Sequence, residues 1–345
     1  MTAAPNRPRV CVLHVGGTIG MVRGDEGFGP KDGFLETYLA SMKELERAEL
    51  PAYTLTLLPP LLDSADMQPD DWVRIARAIV NAYDDFDGFV IVHGTDTLAY
   101  TASALSFLLP GLTKPVILTG AQISLAEVRS DGREHLITSI QLAGTSRIPE
   151  VCIYFGQRLL RGNRAQKVHN DHFAAFDSGN MPALATVGVG IDVRSELVRA
   201  PGSGVPKLVE LPSRPLVVAL RVFPGLQASM LETVLAGAHG LVLETYGAGN
   251  APTRDTALLD VLSQATARGV VVVNASQCHG GRVRQGLYQT SSSLARAGVV
   301  SGHDMTPEAA LTKLYCLLAS GLSPADVRAR MEEDLAGELT RPATH

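Results

Sequence analysis

Cysteine, tryptophan, charge and long apolar runs are all scarce in this chain. Its 345 residues include four cysteines and one tryptophan. Cys11, Cys152, Cys278 and Cys316 lie far apart and form no CxxC spacing, so neither a zinc ribbon nor a disulfide framework is expected. Three of them sit in or beside apolar, strand-like runs, where a reduced thiol behaves as a small hydrophobe. No apolar run approaches the roughly 20 residues that span a bilayer, so no membrane partner is expected. The opening stretch "MTAAPNRPRVCVLHV" lacks a sustained apolar core followed by a cleavage site, which argues against a secretory leader and for a cytoplasmic setting. Charged residues make up 19 %, with a formal net charge of −5. The basic residues do not gather in any one segment, and phosphate binding needs such a concentration, so nucleic acid is not an expected partner.

What is present is apolar bulk, 46 % of residues, enough for two well-filled cores. Near-continuous apolar runs include "RVCVLHV", "GFVIVHG", "PVILTG", "EVCIYFG", "LVVALRV", "GLVLETYG" and "VVVVNAS". Such runs suit parallel strands covered on both faces. Between them, "PDDWVRIARAIVNAY" carries apolar residues near the helical period and acidic residues in its first turn. "TLAYTASALSFLL", "GREHLITSIQLAG" and "PEAALTKLYCLLASG" read the same way. The alternation predicts two α/β domains with mainly parallel sheets. Residues 192–215 are rich in Pro, Gly and Ser without a long periodic segment. The expected division is therefore an N-terminal domain over 1–192, a linker over 193–215 and a smaller C-terminal domain over 216–345.

Ligands of open α/β sheets gather at the carboxyl ends of the strands, so the residues that follow each strand carry the information. "GGTIG" brings Thr18, "LLDSADM" brings Asp63 and Ser64, and "HGTDT" brings Gly94, Thr95 and Asp96. "TGAQ" brings Gln122, and "RGNRAQK" leads to Lys167. Each has an ordinary reading as well. "GGTIG" can be a tight turn, and it fits neither the Walker loop nor the GxGxxG fingerprint. Thr95 or Asp96 can cap a helix, and Lys167 can be a solvated surface lysine. His169 and His172 have a spacing that some metal sites use, but no further ligand motif accompanies them, so no metal is expected.

Together, in this order, "GGTIG", "LLDSADM", "HGTDTLAYTASALSF", "GAQI", "RSDG", "RGNRAQK" and "YGAGNAP" resemble the type I bacterial L-asparaginases of the asparaginase/glutaminase family. The resemblance extends from Arg9 to Thr340. It implies hydrolysis of L-asparagine to L-aspartate and ammonia, with no cofactor, by a homodimer or a dimer of dimers. It also implies Thr18 as nucleophile and Thr95, Asp96 and Lys167 as a second catalytic constellation. Asp63, Ser64, Gly94, Asp96 and Gln122 would bind substrate, and Asn250 would reach the site from a neighbouring subunit. The chemistry is coherent on its own terms. A threonine hydroxyl must lose its proton as it attacks, and a lysine can serve that network when its surroundings favour the neutral amine. Backbone N–H groups of "HGTD" can meet the developing oxyanion.

Two positions depart from the family pattern. A tyrosine usually stands ten residues after the nucleophile, on a mobile lid; here Phe28 stands there, although the loop keeps its glycines. An arginine used by some relatives to bind an effector asparagine is Glu244 here, so hyperbolic kinetics are expected; Cys278 also matches that effector region. Other readings are a broader amidase acting on glutamine or D-asparagine, since one methylene discriminates by only ~1–3 kcal/mol. An amidotransferase subunit and an amino-acid sensor on the same scaffold complete the set.

Overall fold

The computed structural model describes residues 7–340 apart from 26, 32, 255 and 288. The first six residues, on which part of the leader reading rests, lie outside that range. The chain divides into two compact units: 1–177 with 182–208, and 178–181 with 209–345.

In the first unit β1 (Arg9–Gly16) leads to a hairpin of β2 (Met21–Gly24) and β3 (Gly27–Pro30), then α1 (Phe34–Ser41). There follow β4 (Ala52–Leu62), α2 (Pro69–Asn81), β5 (Gly88–Val92), α3 (Leu98–Leu108), β6 (Val116–Thr119), α4 (Gly132–Thr145) and β7 (Val151–Phe155). After these come β8 (Arg158–Arg161), the short pair β9 (Gln166–Lys167) and β10 (Phe176–Asp177), then β11 (Ala185–Val187) and β12 (Ile191–Val193). The main sheet has the order β12-β11-β8-β7-β6-β5-β1-β4. From β4 to β7 every pairing is parallel, and from β7 to β12 every pairing is antiparallel. β5, β6 and β7 are buried at every residue, as their unbroken apolar runs require. α2 starts at Pro69, is fixed by Gln68 N donating to Asp71 Oδ2 at 2.9 Å, and buries Trp72, Ile75, Ala76 and Ile79 along one face.

The second unit holds β13 (Val217–Arg221), α5 (Ala228–Leu235), β14 (Gly240–Thr245), α6 (Thr256–Ala267), β15 (Val271–Ser276), α7 (Gln289–Arg296), β16 (Val300–Ser301), α8 (Pro307–Ala319) and α9 (Pro324–Met331). Its sheet, β13-β14-β15-β16, is parallel throughout. One apolar cluster packs Leu241, Leu243 and Val272 against α5, α6 and α7; a second packs Val242, Val271 and Val273 against α8 and α9. Both units are thus α/β with mainly parallel sheets. Among the described residues, no helix is long and apolar enough to cross a membrane.

Several features were not visible in the hydropathy pattern. The segment after Thr18 is a hairpin in which Arg23 pairs with Phe28. β4, an edge strand with a half-exposed surface, gives no continuous apolar run. The first part of the Pro-rich stretch packs with the first unit because its backbone is claimed there. Arg161 donates to Leu197 O at 2.8 Å, Arg199 N to Glu150 Oε1 at 2.8 Å, and Gly202 N to Leu112 O at 2.9 Å.

Candidate active site

Glycines bring the strand ends of the first unit into backbone contact. Gly16 and Gly17 both have positive φ, 129° and 94°. A Cβ on Gly16 would lie 2.0 Å from Leu62 O, one on Gly17 2.2 Å from Gly94 N, and one on Gly120 2.4 Å from His93 O. The carboxyl ends of β4, β1, β5 and β6 therefore form a continuous side-chain-free floor. The residues that follow it are Asp63, Thr18, Thr95 and Gln122. Thr18 opens a short 3₁₀ turn, Thr18–Gly20, and is half-buried. Among the described residues its hydroxyl has no hydrogen-bond partner.

The direct contacts are made one strand away. Lys167 Nζ donates to Thr95 Oγ1 at 2.8 Å and to Asp96 Oδ1 at 2.7 Å. The lysine side chain is 18 % exposed and the aspartate side chain 64 %. Asp96 N donates to Ser64 Oγ at 3.3 Å, and Thr97 Oγ1 donates to Ser64 O at 2.7 Å. Asp63 caps the turn after β4 by accepting from Ala65 N at 3.0 Å. Neither Thr95 nor Asp96 caps α3, whose N-cap is Thr97. An open cleft of about 370 Å³ is lined by Asp96, Lys167, Val168, His169 and Asn170.

Three residues that sequence reasoning passed over fix this arrangement. His93 is fully buried and its Nδ1 lies 2.6 Å from Gly94 O. A carbonyl only accepts, so Nδ1 carries the proton and Nε2 accepts from Thr101 Oγ1 at 2.9 Å. Burial drives the His93 pKa from the usual imidazole value down to about 4, so the ring is neutral near pH 7. Because the Gly94–Thr95 peptide is planar and trans, Thr95 N–H points opposite to that anchored carbonyl. Among the described residues it meets no acceptor. His135 Nδ1 lies 2.9 Å from Gly120 O, and its Nε2 accepts from Gly156 N at 3.1 Å, so one ring ties the ends of β6 and β7 together. Asp131 accepts from Gln122 N at 3.1 and 3.0 Å and from Ile123 N at 3.0 Å. A buried imidazole bonded on both nitrogens has no signature in sequence, because a histidine in an apolar run reads equally well as core.

Each of the remaining expected residues has its own setting. Gln122 Nε2 donates to His172 O at 3.1 Å. Phe28 is 46 % exposed on β3. Asn250 belongs to the second unit, where its Oδ1 accepts from Thr290 Oγ1 at 2.7 Å. Glu244, also there, pairs with Arg221 Nε at 3.3 Å, and Cys278 is exposed. The rings of His169 and His172 lie 5.5 Å apart, but among the described residues no group of three or more His, Cys, Asp or Glu could hold a metal ion.

The family model described as asparaginase, N-terminal, matches residues 9–199, and that of the glutaminase/asparaginase C-terminal domain matches residues 216–331. L-asparaginase 1 of Escherichia coli (strain K12) is 47 % identical over 333 residues, which cover 96 % of this chain and 98 % of that protein. A 60 kDa lysophospholipase of Mus musculus is 42 % identical over 359 residues; the match takes in 97 % of this chain and 63 % of that larger protein. The crystal structure of L-asparaginase I from Vibrio cholerae O1 biovar eltor superposes with a TM-score of 0.90 at 44 % identity, covering 97 % of this chain and all of that one. Two domain models in sequence, near-complete coverage and a threonine–lysine–aspartate cluster on a glycine floor agree: the chain belongs to the asparaginase family.

Proposed function

We propose that the chain hydrolyses the side-chain amide of L-asparagine to L-aspartate and ammonia. The observation that carries this reading is Lys167 Nζ held between Thr95 Oγ1 and Asp96 Oδ1, on a floor where Gly17, next to Thr18, meets the backbone of Gly94, next to Thr95. Thr18 Oγ1 attacks the carboxamide carbon, and its proton passes to the Thr95–Lys167 network. That proton then goes to the departing nitrogen, the C–N bond breaks, and ammonia leaves behind an ester on Thr18. Water attacks the ester and releases aspartate and the free hydroxyl. Thr95 N–H, held in direction by the His93–Gly94 hydrogen bond, serves the oxyanion. Exposed carboxylates at Asp63 and Asp96 suit the substrate ammonium, and Ser64 and the backbone about Gly94 suit its carboxylate. Asn250 completes the site from a second copy of the chain, in a homodimer or dimer of dimers. Neither a cofactor nor a metal takes part. Free cysteines and a mildly acidic net charge without a basic segment fit a cytoplasmic enzyme.

The test is an ammonia-release assay of purified protein on L-asparagine, D-asparagine and L-glutamine across concentration. The expected outcome is a clear preference for L-asparagine in kcat/KM, with a Hill coefficient near one because Glu244, paired with Arg221, offers a carboxylate and not an arginine to an effector's α-carboxylate. No release from any of the three amides would overturn the enzyme reading in favour of a binding protein. A glutamine preference would move the assignment to the broader amidase.

A further inference from the structure

The loop 120–125, between β6 and α4, touches the segments that carry Thr18, Thr95 and Lys167. Gly120 packs on His93 O, so its backbone lies directly behind Thr95. Leu125 N donates to Ile19 O at 3.3 Å, and Ser124 Oγ donates to Met21 O, so the loop backs the turn that starts with Thr18. Gln122 Nε2 donates to His172 O at 3.1 Å. His172 lies in the loop 168–175 that follows Lys167. That loop is closed at its base by Val168 N and His169 N, both donating to Ala175 O at 2.8 and 3.2 Å, and by the pairing of Lys167 with Phe176. Inside it, Ala174 N donates to His172 Nδ1 at 3.1 Å.

The anchor of the loop 120–125 is the first turn of α4. Asp131 is the N-cap of α4, and its largely buried carboxylate receives the N–H groups of Gln122 and Ile123. His135, one turn on and on the same face, holds Gly120 O. The main chain of Gln122 is thereby fixed on the α4 side, while its side chain reaches the lysine loop.

We propose that Gln122 is a positioning residue that tethers the loop 168–175 to α4 and so sets where the Lys167 ammonium stands relative to Thr95 and Asp96. Expecting Gln122 to contact substrate puts its amide to a different use, and the two assignments separate experimentally. This inference rests on the proposed asparagine hydrolysis only for its kinetic arm. The protein used is the full chain carrying Gln122→Ala, or Gln122→Met, which keeps the length and removes the donor.

Two readouts are needed. The first is hydrogen exchange of the amides in 168–175, which requires no activity. Faster exchange in both variants at unchanged exchange in β5 and β6 is expected, and unchanged exchange in 168–175 overturns the tether. The second is steady-state kinetics on L-asparagine with a pH profile. We expect kcat to fall about 5-fold, as for one lost hydrogen bond, with KM within about twofold and the pH dependence of kcat altered. A rise in KM at unchanged kcat and an unmoved pH profile would show that Gln122 binds substrate, and would overturn the positioning role. A wild-type protein that releases no ammonia would defeat the proposed reaction alone, leaving the exchange result to decide the tether.

Discussion

The two units carry the same kind of sheet and put polar side chains at the same edge of it, yet they treat those side chains differently. In the second unit the ends of β14 and β15 offer Thr245, Asn274, Ser276 and Gln277, and each is consumed internally. Thr245 Oγ1 donates to Asn274 Oδ1 at 2.6 Å, and Asn274 Nδ2 donates to Gly249 O at 3.1 Å. Ser276 Oγ donates to Gly247 O at 2.7 Å, and Gln277 Nε2 donates to Val222 O and Glu244 O at 2.7 and 2.8 Å. In the first unit the glycines at 16, 17 and 120 join the ends of β4, β1, β5 and β6 through backbone contact, and the one side chain that ties strand ends there, His135, links β6 to β7. That releases Thr18 and leaves Thr95 to a lysine rather than to the main chain. A hydroxyl at the carboxyl edge is therefore no evidence of a site by itself; a hydroxyl that the fold leaves unspent is.

The sharpest way to break this comparison is to make the same change in both edges. Thr95→Val should lower ammonia release by at least about 10³-fold while the melting temperature stays within a few degrees, as expected for a group that acts only in the reaction. Thr245→Val, at a fully buried position, should do the reverse. It strands one hydrogen-bonding group, costs about 1–2 kcal/mol of stability, and leaves kcat/KM within about twofold. Melting curves and ammonia assays on the two proteins side by side check both. Equal losses of activity would erase the distinction.

Acid tests the floor itself. His14 lies on β1, buried, with neither ring nitrogen hydrogen-bonded among the described residues. Burial lowers its pKa to about 4 against a weaker opposing pull from Glu36, and burial lowers that of His93 likewise. The unfolded chain protonates both rings near pH 6.5 and the folded chain does so only near 4, so in between the unfolded state binds more protons. Stability is thus complete above about pH 6.5 and falls as pH drops towards 4, by up to about 3 kcal/mol for each ring. Melting temperature against pH should show that slope, and His14→Phe should reduce it by roughly half, leaving the His93 share. A wild-type curve level between pH 6.5 and 4 would contradict the neutral-ring description.

A smaller effect is expected at Phe28. The hairpin leaves the Phe28 ring exposed, and Phe28→Tyr, which adds the hydroxyl expected there from the family resemblance, should raise kcat several-fold with little change in stability. An unchanged kcat would mean that another donor already serves, or that the hairpin plays no part in turnover.

How much of this was legible beforehand depended on which physical signal carried it. Buried parallel strands announce themselves as unbroken apolar runs, so β5, β6, β7, β14 and β15 were readable, and with them the α/β class. β4 was not, because an edge strand with alternating exposure leaves no such run. The hairpin after Thr18 looked like a loose loop, because its glycines mark permissive backbone without saying how it folds. Thr18, Thr95, Asp96 and Lys167 are legible as motifs at strand ends. His93, His135 and Asp131 were missed, because their work is to hold backbone carbonyl and N–H groups that only the folded chain brings near. Gln122 is legible as a residue after β6, but the carbonyl it bonds lies 50 residues further on.

The central claim is that the hydroxyl left unspent at Thr18 is the nucleophile. Rapid quenching of the protein with L-asparagine, followed by mass analysis of the Thr18 peptide, tests it most directly. The account predicts a transient aspartyl ester on that peptide in the wild type, its absence in Thr18→Ala, and loss of ammonia release in that variant with the melting curve preserved. Ammonia release that survives in Thr18→Ala would contradict it.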